Sequence, residues 1–294
     1  MSNFYTLLAS CRDQCGLIAK ITTYFANLNM WIMESKFFSD EISQQYFMRI
    51  EIKANADDSM EKFENLKNDF QQQIATPLNL RWRLLNNNIP NRVVLMVSQQ
   101  EHCLYDLMAR WQSAEFESCN AKIVGVISNH HRFENFVLWH QIPFFYVPIN
   151  SKNSTQKAES FAKMQDILKN TLRADTIVLA RYMQILPPDF CHNFAGKIIN
   201  IHHSFLPSFI GAKPYHQAYE RGVKLIGATC HYVTENLDAG PIIEQDVIRV
   251  DHTDTPEKMV RYGKDIEKTV LARGLRYHLE NRVIIDGNKT IVFK

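Results

Sequence analysis

The sequence predicts two α/β units in tandem, a small βαββαβ sandwich over residues 1–85 and a doubly wound, mainly parallel domain over residues 92–294. Three observations predict this. Strand-like and helix-like apolar periods follow one another in the order βαββαβ at the start of the chain. The stretch Asn86-Asn87-Asn88-Ile89-Pro90-Asn91 is polar and carries a proline, as a linker over 86–91 would. Beyond it, continuous apolar runs separated by helical patterns suit a parallel sheet covered on both faces.

Phe4-Tyr5-Thr6-Leu7-Leu8-Ala9-Ser10 opens the chain as a strand. Ile18, Ile21, Phe25 and Leu28 then share one face of a helix. A second strand covers Trp31 to Phe38. In the third, Met48, Ile50 and Ile52 alternate with Arg49, Glu51 and Lys53, the period of a sheet with one wet face. Asp58 and Glu61 have the spacing of a capping box before a helix whose stripe is Phe63, Leu66, Phe70 and Ile74. Trp82 and Leu84, alternating with Arg81 and Arg83, complete a ferredoxin-like sandwich.

In the second unit, Val93 to Val97, Ile123 to Ile127, Phe144 to Val147 and Thr176 to Ala180 read as buried strands. Helices are expected around Cys103 to Trp111, Phe133 to Trp139 and Gln156 to Leu172. Asp254-Thr255-Pro256-Glu257 has a capping residue and proline at the first turn of a last helix. Its apolar stripe runs through Ile266, Val270, Leu271, Leu275 and Leu279, with Lys264, Lys268 and Arg276 on a solvated face. Val283-Ile284-Ile285 and Thr290-Ile291-Val292-Phe293 flank Asp286-Gly287-Asn288-Lys289 as a terminal hairpin.

The formal net charge is +2 and no long basic run stands out, so neither nucleic acid nor an anionic membrane surface is an expected partner. No apolar stretch approaches the ~20 residues of a membrane span, and the first residues lack the pattern of a secretion signal. A cytoplasmic location is the expectation. Cys11, Cys15, Cys103, Cys119, Cys191 and Cys230 are scattered without a C-x-x-C pair and are read as reduced thiols. His202 and His203 are adjacent, so in extended backbone they point apart and cannot readily grip one ion. No H-x-x-x-H or H-E-x-x-H pattern offers an alternative. The chemistry is read as metal-free.

Asn200, His202 and Asp238 supply an amide, an imidazole and a carboxylate. Formyl transfer to or from nitrogen requires such a set: a proton must leave the attacking group, an oxyanion needs a donor, and the departing nitrogen must be protonated. Taken singly, each residue has a duller reading as a turn former or structural histidine. Together they sit in two recognisable windows. The first, Ile199-Asn200-Ile201-His202-His203-Ser204-Phe205-Leu206-Pro207-Ser208-Phe209, resembles the catalytic segment of folate-dependent formyltransferases and deformylases. His231-Tyr232-Val233-Thr234-Glu235-Asn236-Leu237-Asp238-Ala239-Gly240 resembles the loop that supplies that family's aspartate, departing from it at Ala239. Val178 to Leu186 is similar to the family's folate-binding strand and loop. The resemblance implies Asn200, His202 and Asp238 as catalytic residues. It implies Met183, Gln184, Ile185, Leu186, Val233 and Thr234 as substrate-binding, with His216 and His231 shaping the pocket and His203 a packing neighbour.

Purine-pathway formyltransferases of this kind follow their first strand with a glycine-rich phosphate loop. Here the place reads Val97-Ser98-Gln99-Gln100-Glu101-His102-Cys103-Leu104, without glycine and with a carboxylate that would repel phosphate. Water becomes the expected acceptor. The turn Asp13-Gln14-Cys15-Gly16-Leu17-Ile18 resembles the signature of ACT-type regulatory domains, where Asp13 would cap a helix and Gly16 would admit a ligand. With that ACT-like unit in front, essentially the whole chain resembles the formyltetrahydrofolate deformylases. The resemblance implies hydrolysis of 10-formyltetrahydrofolate to formate and tetrahydrofolate, the folate being a substrate with no cofactor needed, and a role in balancing folate pools for purine synthesis. It also implies a small amino-acid effector near Asp13, Gly16 and Leu17, and a homo-oligomer. Two alternatives stand beside it: transfer to an amine acceptor, which acceptor-dependent turnover would reveal, and a catalytically silent amino-acid sensor, whose expected decay of the Asn/His/Asp set is not seen.

Overall fold

The computed structural model describes residues 3–54, 60–116, 119–150, 152–208 and 214–294. The chain forms two compact units, Met1–Pro90 with Asn281–Ile284 and Ile291–Lys294, and Asn91–Glu280 with Ile285–Thr290.

In the first unit, β1 (Asn3–Arg12), β2 (Trp31–Asp40), β3 (Gln45–Ala54) and β4 (Arg81–Asn86) make an antiparallel sheet in the order β2-β3-β1-β4. The helices α1 (Leu17–Asn27) and α2 (Met60–Phe70) contribute Ile21, Phe25, Phe63 and Phe70 to a core that also holds Leu7, Met48, Ile50 and Ile52 from the sheet. Asp58, half of the expected capping box, lies outside the described residues.

Two expectations need correction here. The other face of β3 is wet only in part: Glu51 and Lys53 are partly exposed, but Phe47 is buried, as is Leu8 of β1, with Ile284 and Phe293, which come from the far end of the chain. The boundary expected at 92–294 therefore fails at the C terminus, because those terminal apolar side chains complete the first unit's core. On that face Arg49 is 1% exposed. It is satisfied by Glu34 at 2.6 Å, by Glu51, and by the Asn281 carbonyl, which accepts from its Nε at 3.0 Å.

The second unit is built on β5 (Asn91–Val97), β6 (Ala121–Ser128), β7 (Phe144–Tyr146), β8 (Thr176–Leu179), β9 (Ile198–His202), β10 (Leu225–Tyr232) and β11 (Ile242–Arg249). Their order is β11-β10-β9-β8-β5-β6-β7, parallel from β9 to β7, with β10 antiparallel to both β9 and β11. Strand order reverses beside β5, the kind of place where α/β sheets bind ligands beyond their carboxyl ends. Helices α3 (His102–Gln112), α4 (Glu134–Trp139), α5 (Ser154–Asp166), α6 (Pro188–Asn193), α7 (Pro214–Glu220) and α8 (Pro256–Leu279) surround it. At the start of α8 the Thr255 hydroxyl accepts from the Lys258 amide, with Pro256 in the first turn, as the sequence predicts. The short strands β12 (Val283–Asp286) and β13 (Lys289–Val292) form the expected hairpin. No helix among the described residues is long and apolar enough to cross a membrane.

Candidate active site

Antiparallel pairing of β9 with β10 sets the first part of the site. Asn200 stands opposite His231, and His202 opposite Thr229. Residues two apart on a strand share a face, so Asn200 and His202 project together. An irregularity in the pairing of β10 with β11 falls between Cys230 and His231, and such bulges re-aim a side chain.

His231 sets the orientation of Asn200. Its Nδ1 lies 2.9 Å from the Tyr232 carbonyl, which can only accept, so the ring hydrogen sits on Nδ1. Burial lowers the ring's tendency to protonate, and in the neutral ring Nε2 is then an acceptor. It takes one N–H of the Asn200 amide at 3.1 Å, which places the amide nitrogen and leaves its second N–H uncommitted among the described residues. His231 thus does more than shape a pocket, a role visible only once β9 and β10 are paired.

Asp238 arrives on the loop between β10 and β11 in a left-handed backbone conformation, φ 52°. Its Oδ2 is 3.3 Å from His202 Nδ1, and its Oδ1 is 3.9 Å from His231 Nε2. Burial alone would raise the Asp238 carboxyl, but the hydrogen bond and charge of His202, with the other two imidazoles, hold it below the ordinary carboxylate range. His202 is 5% exposed, and its Nε2 is buried with no hydrogen-bond partner among the described residues. A buried ring nitrogen left unpaired is costly unless something else comes to meet it.

The loop is held by Gly240. A Cβ there would fall 1.8 Å from the Tyr232 carbonyl oxygen, so only glycine lets the chain pass. Ala239, the departure from the family pattern, is exposed. Thr229 steadies the segment after His202: it donates to the Ser204 carbonyl at 2.9 Å and accepts from the Leu206 amide at 3.1 Å.

These groups border a cavity of about 350 Å³. Asn200, His202 and Asp238 line it together with all six expected substrate residues, Met183, Gln184, Ile185, Leu186, Val233 and Thr234. Met183 and Ile185 are more than half exposed at its rim, and the Met183 amide is tied to the Ser98 hydroxyl at 3.0 Å. An apolar rim over a few convergent polar groups is the usual make-up of a small-molecule site.

Other expectations are placed differently. His203 follows the end of β9, so strand alternation no longer separates it from His202. The two rings are 5.2 Å apart and both residues border the cavity. Burial, and next the charge of Arg181, push His203 down to about 3, so it stays neutral. His216 is exposed on α7 and does not line the cavity. Phe209 lies outside the described residues. In the first unit, Asp13 does not cap α1, because its carboxylate accepts from the Ser39 hydroxyl instead. Gly16 takes φ 86° with open space around its Cα, while the Leu17 side chain is buried in the core. Sequence reasoning missed one buried group, His102, Arg181, Tyr215 and Glu267, because each falls in an otherwise ordinary helix or loop pattern. At the first loop, Glu101 stands at the N-cap of α3, held ionised by a hydrogen bond from Lys264 and by Arg132.

A formyl transferase family model matches residues 91–275. Over 288 residues the chain is 45% identical to a formyltetrahydrofolate deformylase of Bacillus subtilis, covering 98% of this chain and 93% of that one. It is 44% identical over 282 residues to the Escherichia coli K12 protein of the same name, covering 96% and 95%. A crystal structure of a formyltetrahydrofolate deformylase from Pseudomonas syringae superposes with a TM-score of 0.92 at 50% identity, covering 100% of this chain and 95% of that one. Glycinamide ribonucleotide transformylase 1 of Symbiobacterium toebii matches 70% of the chain and 95% of its own length, at 25% identity and a TM-score of 0.64. With this agreement along nearly its whole length, the chain belongs to the formyltetrahydrofolate deformylases.

Proposed function

We propose that the chain cleaves 10-formyltetrahydrofolate with water in the cavity bordered by Asn200, His202 and Asp238, releasing formate and tetrahydrofolate. The observation that carries this reading is the Nε2 of His202, unpartnered among the described residues, backed on its other nitrogen by Asp238 and set beside an amide whose orientation His231 dictates. With its Nδ1–H turned to Asp238, His202 offers a lone pair at Nε2. It takes a proton as the water oxygen bonds to the formyl carbon, and Asp238 stabilises the imidazolium that forms. The negative charge developing on the formyl oxygen accepts the free N–H of Asn200. The intermediate then collapses: the C–N10 bond breaks, the imidazolium returns its proton to N10, and formic acid loses its own proton to solvent.

Water is favoured over a phosphorylated acceptor by the start of α3. There Glu101, ionised and paired with Lys264 and Arg132, is itself the N-cap residue, so a carboxylate stands at the helix end that would otherwise attract an anion. Asn200, His202 and Asp238 are the catalytic residues of this reading. Met183, Gln184, Ile185, Leu186, Val233 and Thr234 hold the folate. The reading needs no metal or other cofactor and extends to folate-pool balance for purine synthesis in the cytoplasm. It also includes a homo-oligomer and a small amino-acid effector at the α1 turn, which the open left-handed Gly16 supports.

Purified protein with 10-formyltetrahydrofolate and no added acceptor should produce formate and tetrahydrofolate in equal amounts, undiminished by a chelator. Turnover that depended on an added amine would replace hydrolysis with transfer.

A further inference from the structure

Behind one wall of the cavity lies a buried carboxylate that the proposed chemistry does not use. Glu267, on the inward face of α8, is 1% exposed. Its Oε2 is 2.7 Å from His102 Nε2, and the Tyr215 hydroxyl donates to Oε1 at 2.8 Å. Arg181 Nε stands 3.4 Å from Oε2, an ion pair without hydrogen-bond geometry. Burial alone would raise the carboxyl, but the bond to His102, the charge of Arg181 and the bond from Tyr215 outweigh it and keep Glu267 ionised. Tyr215 reaches it because α8 carries Gly263 alongside, where a Cβ would fall 2.1 Å from the tyrosine ring. The start of α3, the turn after β8 and α7 are therefore all fastened to one anion.

Two of the neighbours in this cluster reach the cavity. Arg181 lines it directly. His203, whose ring centre is 6.3 Å from that of Tyr215, lines it as well. Arg181 also holds a left-handed backbone, φ 64°, which is unfavourable for a residue with a side chain and persists only where surroundings enforce it. It opens the turn that presents Met183, Gln184, Ile185 and Leu186. His102, Cys103 and Glu267 bring their ligand-type atoms within 4.8 Å of one another, as a metal site would. However, burial, and next the charge of Glu267, push the Cys103 thiol well above its usual range, so it stays neutral, and Arg181 already supplies the positive charge.

We infer that Glu267 is a positioning residue, the buried anion that anchors Arg181 and with it the 181–186 turn in the shape that receives the folate. This rests on the folate reading of the cavity and adds a residue remote from the reacting atoms.

The test uses the full-length chain with Glu267→Gln, Glu267→Ala and Arg181→Met, each checked for folding by circular dichroism and thermal midpoint. Glu267→Gln should raise KM for 10-formyltetrahydrofolate roughly tenfold, because the ion pair that holds Arg181 is lost, with kcat lowered by less than about threefold. The Kd for tetrahydrofolate, read by tryptophan fluorescence, should weaken by the same factor. Arg181→Met leaves Glu267 its two hydrogen bonds and should give the same rise, so it serves where Glu267→Gln does not fold. The double Arg181→Met/Glu267→Gln should cost little beyond either single. Acetate, small enough to re-enter the space opened in Glu267→Ala, should bring KM back toward the parent value where chloride at equal ionic strength does not. Unchanged KM and Kd in folded variants would overturn the inference, as would a pure kcat loss or zinc bound stoichiometrically only when Glu267 is present. If the parent protein fails to hydrolyse the substrate, the deformylase reading falls, while the tetrahydrofolate Kd still decides the role of Glu267.

Discussion

The contact between His202 and Asp238 can be tested as a thermodynamic cycle. At 3.3 Å, an imidazolium and a carboxylate attract by about 5 kcal/mol at an effective dielectric of about 20. That value is a ceiling, since desolvation of both groups opposes it. A hundredfold loss of turnover corresponds to about 2.7 kcal/mol of transition-state stabilisation, which the contact can carry. His202→Ala removes the group that moves protons, and Asp238→Asn keeps the shape while removing the charge that steadies the imidazolium. Asparagine is the right replacement because it tolerates the left-handed backbone that Asp238 adopts. Each single variant should lower kcat by roughly a hundredfold, and the double should fall little further, because the two residues act as one unit. His203→Ala is the control: its ring is neutral throughout the working range, so the pH profile of kcat should keep its shape. The assay is steady-state release of tetrahydrofolate, with folding checked by circular dichroism. Losses that multiply to about ten-thousandfold in the double would refute the coupling. Near-normal turnover in folded His202→Ala would refute the assignment of roles altogether.

Two further outcomes follow from packing. Gly240→Ala places a methyl 1.8 Å from the Tyr232 carbonyl, so the loop must shift; kcat should fall at least tenfold while the thermal midpoint drops by only a few degrees. Arg49→Met removes the guanidinium that Glu34 and Glu51 share, Glu34 keeping Lys36 at 3.4 Å; both acids are about one-third exposed and can rehydrate, so the cost should be about 1–3 kcal/mol by urea unfolding, below that of a fully buried pair. A catalytic defect larger than the stability loss explains would show that Arg49 does more than support the first unit.

Much of this molecule was legible in the order of its residues. Alternation at Met48, Ile50 and Ile52, and the run from Val93 to Val97, specify strands through local side-chain period and burial, which need no knowledge of neighbours. Thr255 and Pro256 mark the start of α8 for the same reason, since capping is settled within one helical turn. The candidate catalytic trio was legible because amide, imidazole and carboxylate stand in short, distinctive windows. What joins Asn200 to His231 is a strand register, and what joins His202 to Asp238 is a loop turned by Gly240; neither is a local property. The same holds for Arg49, which reads as the wet face of an alternating strand until Ile284 and Phe293 return from the end of the chain to cover part of that face. Glu267 reads as one more charge on an amphipathic helix, and Asp13 as a helix cap. Only the tertiary structure encloses the first among His102, Tyr215 and Arg181 and offers the second to Ser39. Periodicity reports which side of an element is apolar, whereas the partner of a buried charge depends on which distant element packs against it, and that is decided by the whole fold at once.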